Sequence, residues 1–288
     1  MFINYVKGLL IGSANIIPGV SGGTLALMLG IYHKIVYSSA NLIRLKKVKE
    51  DTIFLTMLSL GILTSVTILA KIFKSYILDG STRETYLNML FIGLTTGIIF
   101  KLKQEIKTRN NNNNNNSKKI TKYFLFLIGF FTTLSLLLLR TYNISLDISE
   151  YQNKKSIKYH IVIATSGIIG GCAMILPGIS GSLILLSIGT YKEIINIISQ
   201  LNIIPCTIFG ISTIIGTGIT ILIIEKTINK HFAKFLYLSI GLILGSILQM
   251  LFTITKLNVK PTLTLKISSG ILFITGIYIN RILESTKK

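Results

Sequence analysis

The residues best suited to chemistry in this chain occur twice. The stretch GSANIIPGVSGGTLALMLGIYHKIV runs from Gly12 to Val36, and GCAMILPGISGSLILLSIGTYKEII from Gly171 to Ile195. Eleven of the 25 aligned positions are identical, and they cluster on Pro-Gly-x-Ser-Gly. Chance similarity between apolar stretches would scatter its matches among Ile and Leu, so the pair reads as an internal duplication. Pro18 and Pro177 lack an N–H and end any helix that enters them. Gly19, Gly22 and Gly23, like Gly178 and Gly181, permit a tight bend with uncovered backbone. Ser21 is a good N-cap for a helix running on through Leu25 to Val36, and Ser180 stands at the matching place. A helix start of this kind gathers free N–H donors and about half a positive charge, which suits phosphate, carboxylate or halide.

Such a break inside a hydrophobic segment exposes N–H groups that lipid cannot satisfy, so it belongs inside protein or beside a water-filled cavity. As a helix, Gly22 to Val36 would span roughly 22 Å at ~1.5 Å per residue, from one surface to the middle of a membrane. If the two halves face opposite ways, the Ser21 and Ser180 turns would meet there as one anion-binding centre. Asn15, deep in the apolar segment, needs a polar partner and joins the site as a candidate.

Two other readings stay open. Both breaks could be kinks that serve packing alone. Gly19-Val20-Ser21-Gly22-Gly23 also fits the Gly-x-Ser-x-Gly nucleophile pattern, which requires a base beside the serine. The histidines are His33, His160 and His231. His33 lies about 18 Å along the same predicted helix at ~1.5 Å per residue, and the other two sit at segment ends.

The surrounding chain says what must position these turns. It has 288 residues, 50% hydrophobic and 14% charged, with a mean hydropathy of +0.66. That composition belongs to a polytopic membrane protein rather than a soluble domain. The net charge of +20 sits in loops between apolar runs, where cations meet anionic lipid. No basic patch is interleaved with aromatics and Trp is absent, so nucleic acid is not an expected partner. Cys172 and Cys206 have no metal-ligand spacing, and neither metal nor cofactor is expected. The N-terminal apolar stretch superficially resembles a secretion signal, but it continues into the first motif and is expected to stay in the membrane.

Each half then shows the same order. Residues 1–140 hold a hairpin at about 8–36 and crossing helices at about 52–70, 85–100 and 122–139. Residues 141–158 are a polar connector. Residues 159–288 hold a hairpin at about 160–195 and helices at about 203–224, 235–252 and 266–279. Lys101 to Lys122, with the Asn run ending at Asn116, reads as a flexible linker. The third segment of each half carries Gly-x-x-x-Gly, Gly93/Gly97 and Gly241/Gly245, spacing that lets helices approach closely. The expected fold is therefore an all-α polytopic membrane protein of two inverted repeats, each a re-entrant helical hairpin plus about three transmembrane helices. Of 30 cations, 19 then fall on the cytoplasmic side, seven of them between Lys101 and Lys122, which puts both termini in the cytoplasm. Glu193, Glu225, Lys71 and Arg140 stand at ends of apolar runs, where charges ordinarily snorkel to the interface. Glu193 or His33 could serve as a protonatable coupling group.

The runs ANIIPGVSGGTLALMLGIY and AMILPGISGSLILLSIGTY, with IGLTTGI and IGLILGS in the third segments, closely resemble one bacterial membrane-protein family. Long catalogued only as a domain of unknown function, it is now associated with translocating undecaprenyl phosphate, the lipid carrier of cell-wall synthesis. The resemblance covers nearly the whole chain. It implies a flippase-type transporter in the cytoplasmic membrane, with paired re-entrant hairpins, that returns the carrier from the outer to the cytoplasmic leaflet. Carried over, Asn15, Pro18, Gly19, Ser21, Gly22, Gly23 and Thr24 would form one side of the phosphate site. Pro177, Gly178, Ser180, Gly181 and Ser182 would form the other. Family members usually place an acidic residue straight after the motif's Tyr. Here His33 and Lys192 stand there, with Glu193 one further on, so the chain departs from the family pattern at the place where coupling would be inferred. The alternatives from another class are an anion channel or small organic-anion transporter and an intramembrane serine hydrolase. Membrane lipid and polyprenyl phosphate are the expected partners, and the oligomeric state leaves no mark in the sequence.

Overall fold

The computed structural model describes residues 2–16, 20–72, 81–112, 119–142, 156–200, 202–257 and 259–285. Within them the chain forms eleven α-helices. The first half holds α1 (Phe2–Ile16), α2 (Gly22–Met28), α3 (Tyr32–Ile43), α4 (Val48–Ile72), α5 (Ser81–Asn112) and α6 (Lys119–Thr141). The second holds α7 (Ile157–Ile175), α8 (Gly181–Ile188), α9 (Tyr191–Ser199), α10 (Ile203–Lys256) and α11 (Leu263–Ser285). Among the described residues no strand occurs. Five helices are long and apolar enough to cross a membrane, or six if the bent α8–α9 pair is one span. This is a multi-pass, all-helical membrane protein.

Helix pairing repeats between the halves. α1 lies along α4, with Gly8 against the Leu58 carbonyl and Gly12 against Ile62 and Ser65. α7 lies the same way along the first part of α10, with Gly167 against Phe209 and Ser212 and Gly171 against Thr213. The other pairing crosses between halves. Gly93 and Gly97 of α5 sit against Phe273 and Asn280 of α11, while Gly241 and Gly245 of α10 sit against Phe126 and Thr133 of α6. Both Gly-x-x-x-Gly pairs thus lie in tight helix contacts, where a Cβ would strike the neighbouring helix. Buried amides reinforce them: Gln249 donates to the Thr133 carbonyl and Asn280 to that of Leu94.

Three expectations need correction. First, the segment returning from each motif is not one helix through Val36. α2 has seven residues and α8 eight, only about 10–12 Å at ~1.5 Å per residue. Gly30 (φ 66°) and Gly189 (φ 92°) follow them in left-handed conformation, and α8 and α9 are bent by 114°. Second, no polar loop separates 203–224 from 235–252. α10 has 54 residues, about 81 Å at ~1.5 Å per residue, against a hydrocarbon core of ~30 Å. It is two helices joined at His231, whose φ −139° and ψ 46° are not helical. Third, Lys101 to Asn112 continue α5 and Lys119 to Lys122 open α6, in place of the expected flexible linker; 113–118 lie outside the described residues.

The main core lies where α2 and α3 meet α5 and the break in α10. Tyr32, Val36, Ile98, Phe235, Leu236 and Ile243 are buried there. Tyr32 stacks on Phe235 and His33 packs on Phe232. Just beyond, Tyr37 donates to the Asn229 side chain and Arg44 forks onto Glu225 at 2.6 and 2.8 Å. Glu225 is therefore a buried, paired carboxylate and not a snorkelling end charge. Lys71 and Arg140 have side chains outside the described part.

Candidate site at the paired helix breaks

In the second motif α7 stops at Ile175 and Leu176 turns extended. Pro177 and Gly178 are buried, and Gly178 has φ 85°. Ser180 (φ −100°, ψ 131°) then precedes α8. In the first motif Pro18 and Gly19 lie outside the described residues, and Ser21 (φ −100°, ψ 128°) precedes α2 with the same backbone. Neither serine caps its helix through its side chain, contrary to the expectation for Ser21.

What Ser21 does instead brings the two breaks together. Its hydroxyl donates to the Leu176 carbonyl at 3.1 Å. The Tyr32 hydroxyl donates to the Ile175 carbonyl at 3.1 Å, and the Gly178 N–H donates to Thr24 Oγ1 at 2.7 Å. Gly23 allows the approach, since a Cβ there would stand 2.9 Å from the Ile175 oxygen. Ending α7 frees the backbone groups of 175–178 in an apolar interior, where an unpaired one costs about 1–3 kcal/mol. The first motif supplies their partners. Ser21 and Thr24 are 3% and 1% exposed, so both are sealed in this contact. The Ser21 hydroxyl is engaged here as a hydrogen-bond donor to a backbone carbonyl, whereas the nucleophile reading requires it to face a base.

Beside this contact lies a cavity of about 220 Å³. Of the twelve predicted binding residues, Asn15, Gly22, Ser180, Gly181 and Ser182 line it. The Asn15 amide lies against Gly22 and has no hydrogen-bond partner among the described residues. Ser180 and Ser182 share a hydroxyl contact of 2.8 Å. Thr213 and Tyr191 add polar atoms, and the rest of the wall is apolar. Met174, Ile195 and Ile198 in that wall are nearly half exposed, so the mouth is greasy. Among the described residues no cation lines the cavity, so an anion there would rely on N–H dipoles, hydroxyls and the amide. Ser21, Gly23, Thr24 and Gly178 build the contact behind it, Pro177 is buried in the same turn, and none of the five is in its lining.

The suggested coupling residues stand elsewhere. His33 packs between Phe232 and Tyr37, and Glu193 accepts from the Tyr159 hydroxyl at 2.7 Å. Neither lines the cavity. Two residues of consequence were not singled out from the sequence. Tyr32 is visible as the repeated motif tyrosine, though its partner is not. The other is Lys101, whose ammonium reaches the Met28 and Leu27 carbonyls at 3.3 and 3.5 Å, at the negative end of α2. Nothing local in the sequence distinguishes it from the other cations of its run.

Comparison with known proteins adds a family. The profile of the undecaprenyl phosphate translocase-like family matches residues 11–264. A polyprenyl-phosphate transporter of Vibrio cholerae is 28% identical over 255 residues, covering 84% of this chain and 75% of that one. A polyprenyl-phosphate transporter of Staphylococcus aureus is 26% identical over 286 residues, covering 97% and 94%. No solved structure matches.

Proposed function

Because this chain belongs to the undecaprenyl phosphate translocase-like family, we propose that it transports a polyprenyl phosphate, undecaprenyl phosphate in particular, across the cytoplasmic membrane. The observation that carries this reading is the meeting of the two motifs beside one small cavity with a greasy mouth. At about 220 Å³ the cavity is below the ~300–1,000 Å³ of sites that enclose drug-sized ligands. It suits a head group and leaves a long chain in lipid.

The phosphate sits among the Asn15 amide, the Ser180 and Ser182 hydroxyls and the N–H groups that open α8. A site built of neutral donors in an apolar wall binds an anion without trapping it, which is what transport needs. Residues 1–140 and 159–288 act as two inverted repeats, and rocking of one against the other moves the head group from the outer to the cytoplasmic leaflet. The bonds from Ser21, Thr24 and Tyr32 into the 175–178 turn form the pivot. The cation asymmetry puts both termini in the cytoplasm. On this reading the chain is a transporter and not an enzyme, and serves envelope polymer synthesis.

The small volume also favours a second reading, passage of a soluble small anion. Proteoliposomes separate the two. Labelled polyprenyl phosphate should change leaflets only in protein-containing vesicles, and Asn15→Ala should slow it about tenfold, the loss of one charge-assisted hydrogen bond of ~1.5 kcal/mol. Flux of chloride or a small organic anion without lipid movement would overturn the lipid assignment.

A further inference from the structure

A second cavity, of about 390 Å³, shares no residue with the first. It is lined by Lys103 and Ile106 of α5, Tyr123 and Phe126 of α6, and Tyr237 and Ile240 of α10. All three helices contribute from the same end. Lys103 lies in the polar last third of α5, nine residues before its C-terminus, Tyr123 in the second turn of α6, and Tyr237 six residues past the break at His231. Lysines and tyrosines at helix ends mark the depth where lipid head groups meet water. Lys103 and Tyr123 are exposed, whereas Ile106 and Ile240 are buried, so a charged and hydroxylated rim stands over an apolar floor. The two tyrosine rings face each other edge-on, 6.2 Å apart. Neither phenol has a hydrogen-bond partner among the described residues, and Lys103 has no ion-pair partner there.

We propose that this cavity binds the head group of an anionic diester phospholipid, of the phosphatidylglycerol type, from the surrounding leaflet. One ammonium and two neutral O–H donors complement a phosphodiester, which carries a single negative charge. A transported phosphate monoester, with about −1.5 to −2 charge at neutral pH, is the competing occupant that the test below separates. The apolar floor receives the glycerol and the first methylenes. The occupant is therefore a resident lipid, distinct from a transported monoester, and it ties α5 and α6 to the second part of α10.

The test uses the purified full-length chain in detergent, titrated with short-chain phosphatidylglycerol or phosphatidylcholine and read by native mass spectrometry. The intact protein should prefer phosphatidylglycerol by about fivefold at low salt, the worth of one interfacial lysine, and the preference should shrink as salt rises. Lys103→Gln should abolish the preference and Lys103→Arg retain it. Tyr123→Phe with Tyr237→Phe, which keeps the rings packed, should weaken it two- to threefold. Asn15→Ala should leave it unchanged, so the result does not depend on the transport reading. An unchanged preference in Lys103→Gln and in the double phenylalanine variant would overturn the site. Displacement of phosphatidylglycerol by polyprenyl phosphate in Asn15→Ala protein, at lower concentration, would overturn the diester assignment.

Discussion

The two Pro-Gly-x-Ser-Gly turns share sequence and serine backbone geometry, yet their side chains face different tasks. In the first, Ser21 and Thr24 bond into the other half and are sealed. In the second, Ser180 and Ser182 face a cavity. Two substitutions between the copies account for the difference. Thr24 is matched by Leu183, which has no acceptor to offer, and Gly23 by Ser182; a side chain where Gly23 stands would obstruct its close approach to Ile175. Two turns of matching sequence thus differ at these positions, and one braces the other half while the other walls a cavity.

That asymmetry can be broken at its tightest point. Gly178→Ala forces a Cβ onto a residue at φ 85°, 2.5 Å from the Leu242 carbonyl carbon, and should destabilise the protein by more than about 2 kcal/mol. Thermal unfolding of the purified protein measures it. A smaller loss, about 1–3 kcal/mol, is expected for Thr24→Val, which strands the buried Gly178 N–H without changing side-chain shape. Leu183→Thr, at the matching position of the other copy, adds no bond across the halves and should not restore the loss. Equal effects at Thr24 and Leu183 would contradict the division of labour.

A gentler difference lies beyond the turns. In the first half Ser38 and Asn41 of α3 donate to Asp51 in the polar first turn of α4, at 2.7 and 2.8 Å. At the positions matching Ser38 and Asn41 the second half has Ile197 and Gln200. The Ser38 and Asn41 hydrogen bonds hold the Asp51 carboxyl below its ordinary range. A lowered acid stabilises the fold fully above its unfolded pKa of about 3.9 and loses this only as pH falls through the lower folded value. Hydrogen exchange at 38–51 should thus be steady from pH 8 to 5, after correction for intrinsic rates, and rise only below about pH 4. Asp51→Asn should remove that acid step.

Much of this could be read from the sequence, because helix breaks in apolar segments are written in residues that have few other uses. Pro177 and the Gly-Ser pairs mark where α7 stops and α8 begins, and the glycine pairs mark where α5 and α10 are gripped. The short return helices were harder to see. Gly30 and Gly189 are also repeated, but a single glycine inside an apolar run is tolerated in a helix, and only the left-handed turn gives it meaning. The polar stretch 225–234 reads as a loop because its charges suggest water, whereas Arg44, far off in sequence, pairs with Glu225. Ser21 and its carbonyl partner are 155 residues apart, so its structural task could not be foreseen from local pattern.

The central claim, that one phosphate is held where both breaks meet, is tested most directly by photo-crosslinking in membranes with a polyprenyl phosphate carrying a diazirine beside the phosphate. The account predicts label on both the Asn15–Gly22 segment and the Ser180–Ser182 segment, lost from both when Asn15 is changed to Ala and Ser180 and Ser182 to Ala together. Label confined to one segment, or unaffected by those changes, would contradict it.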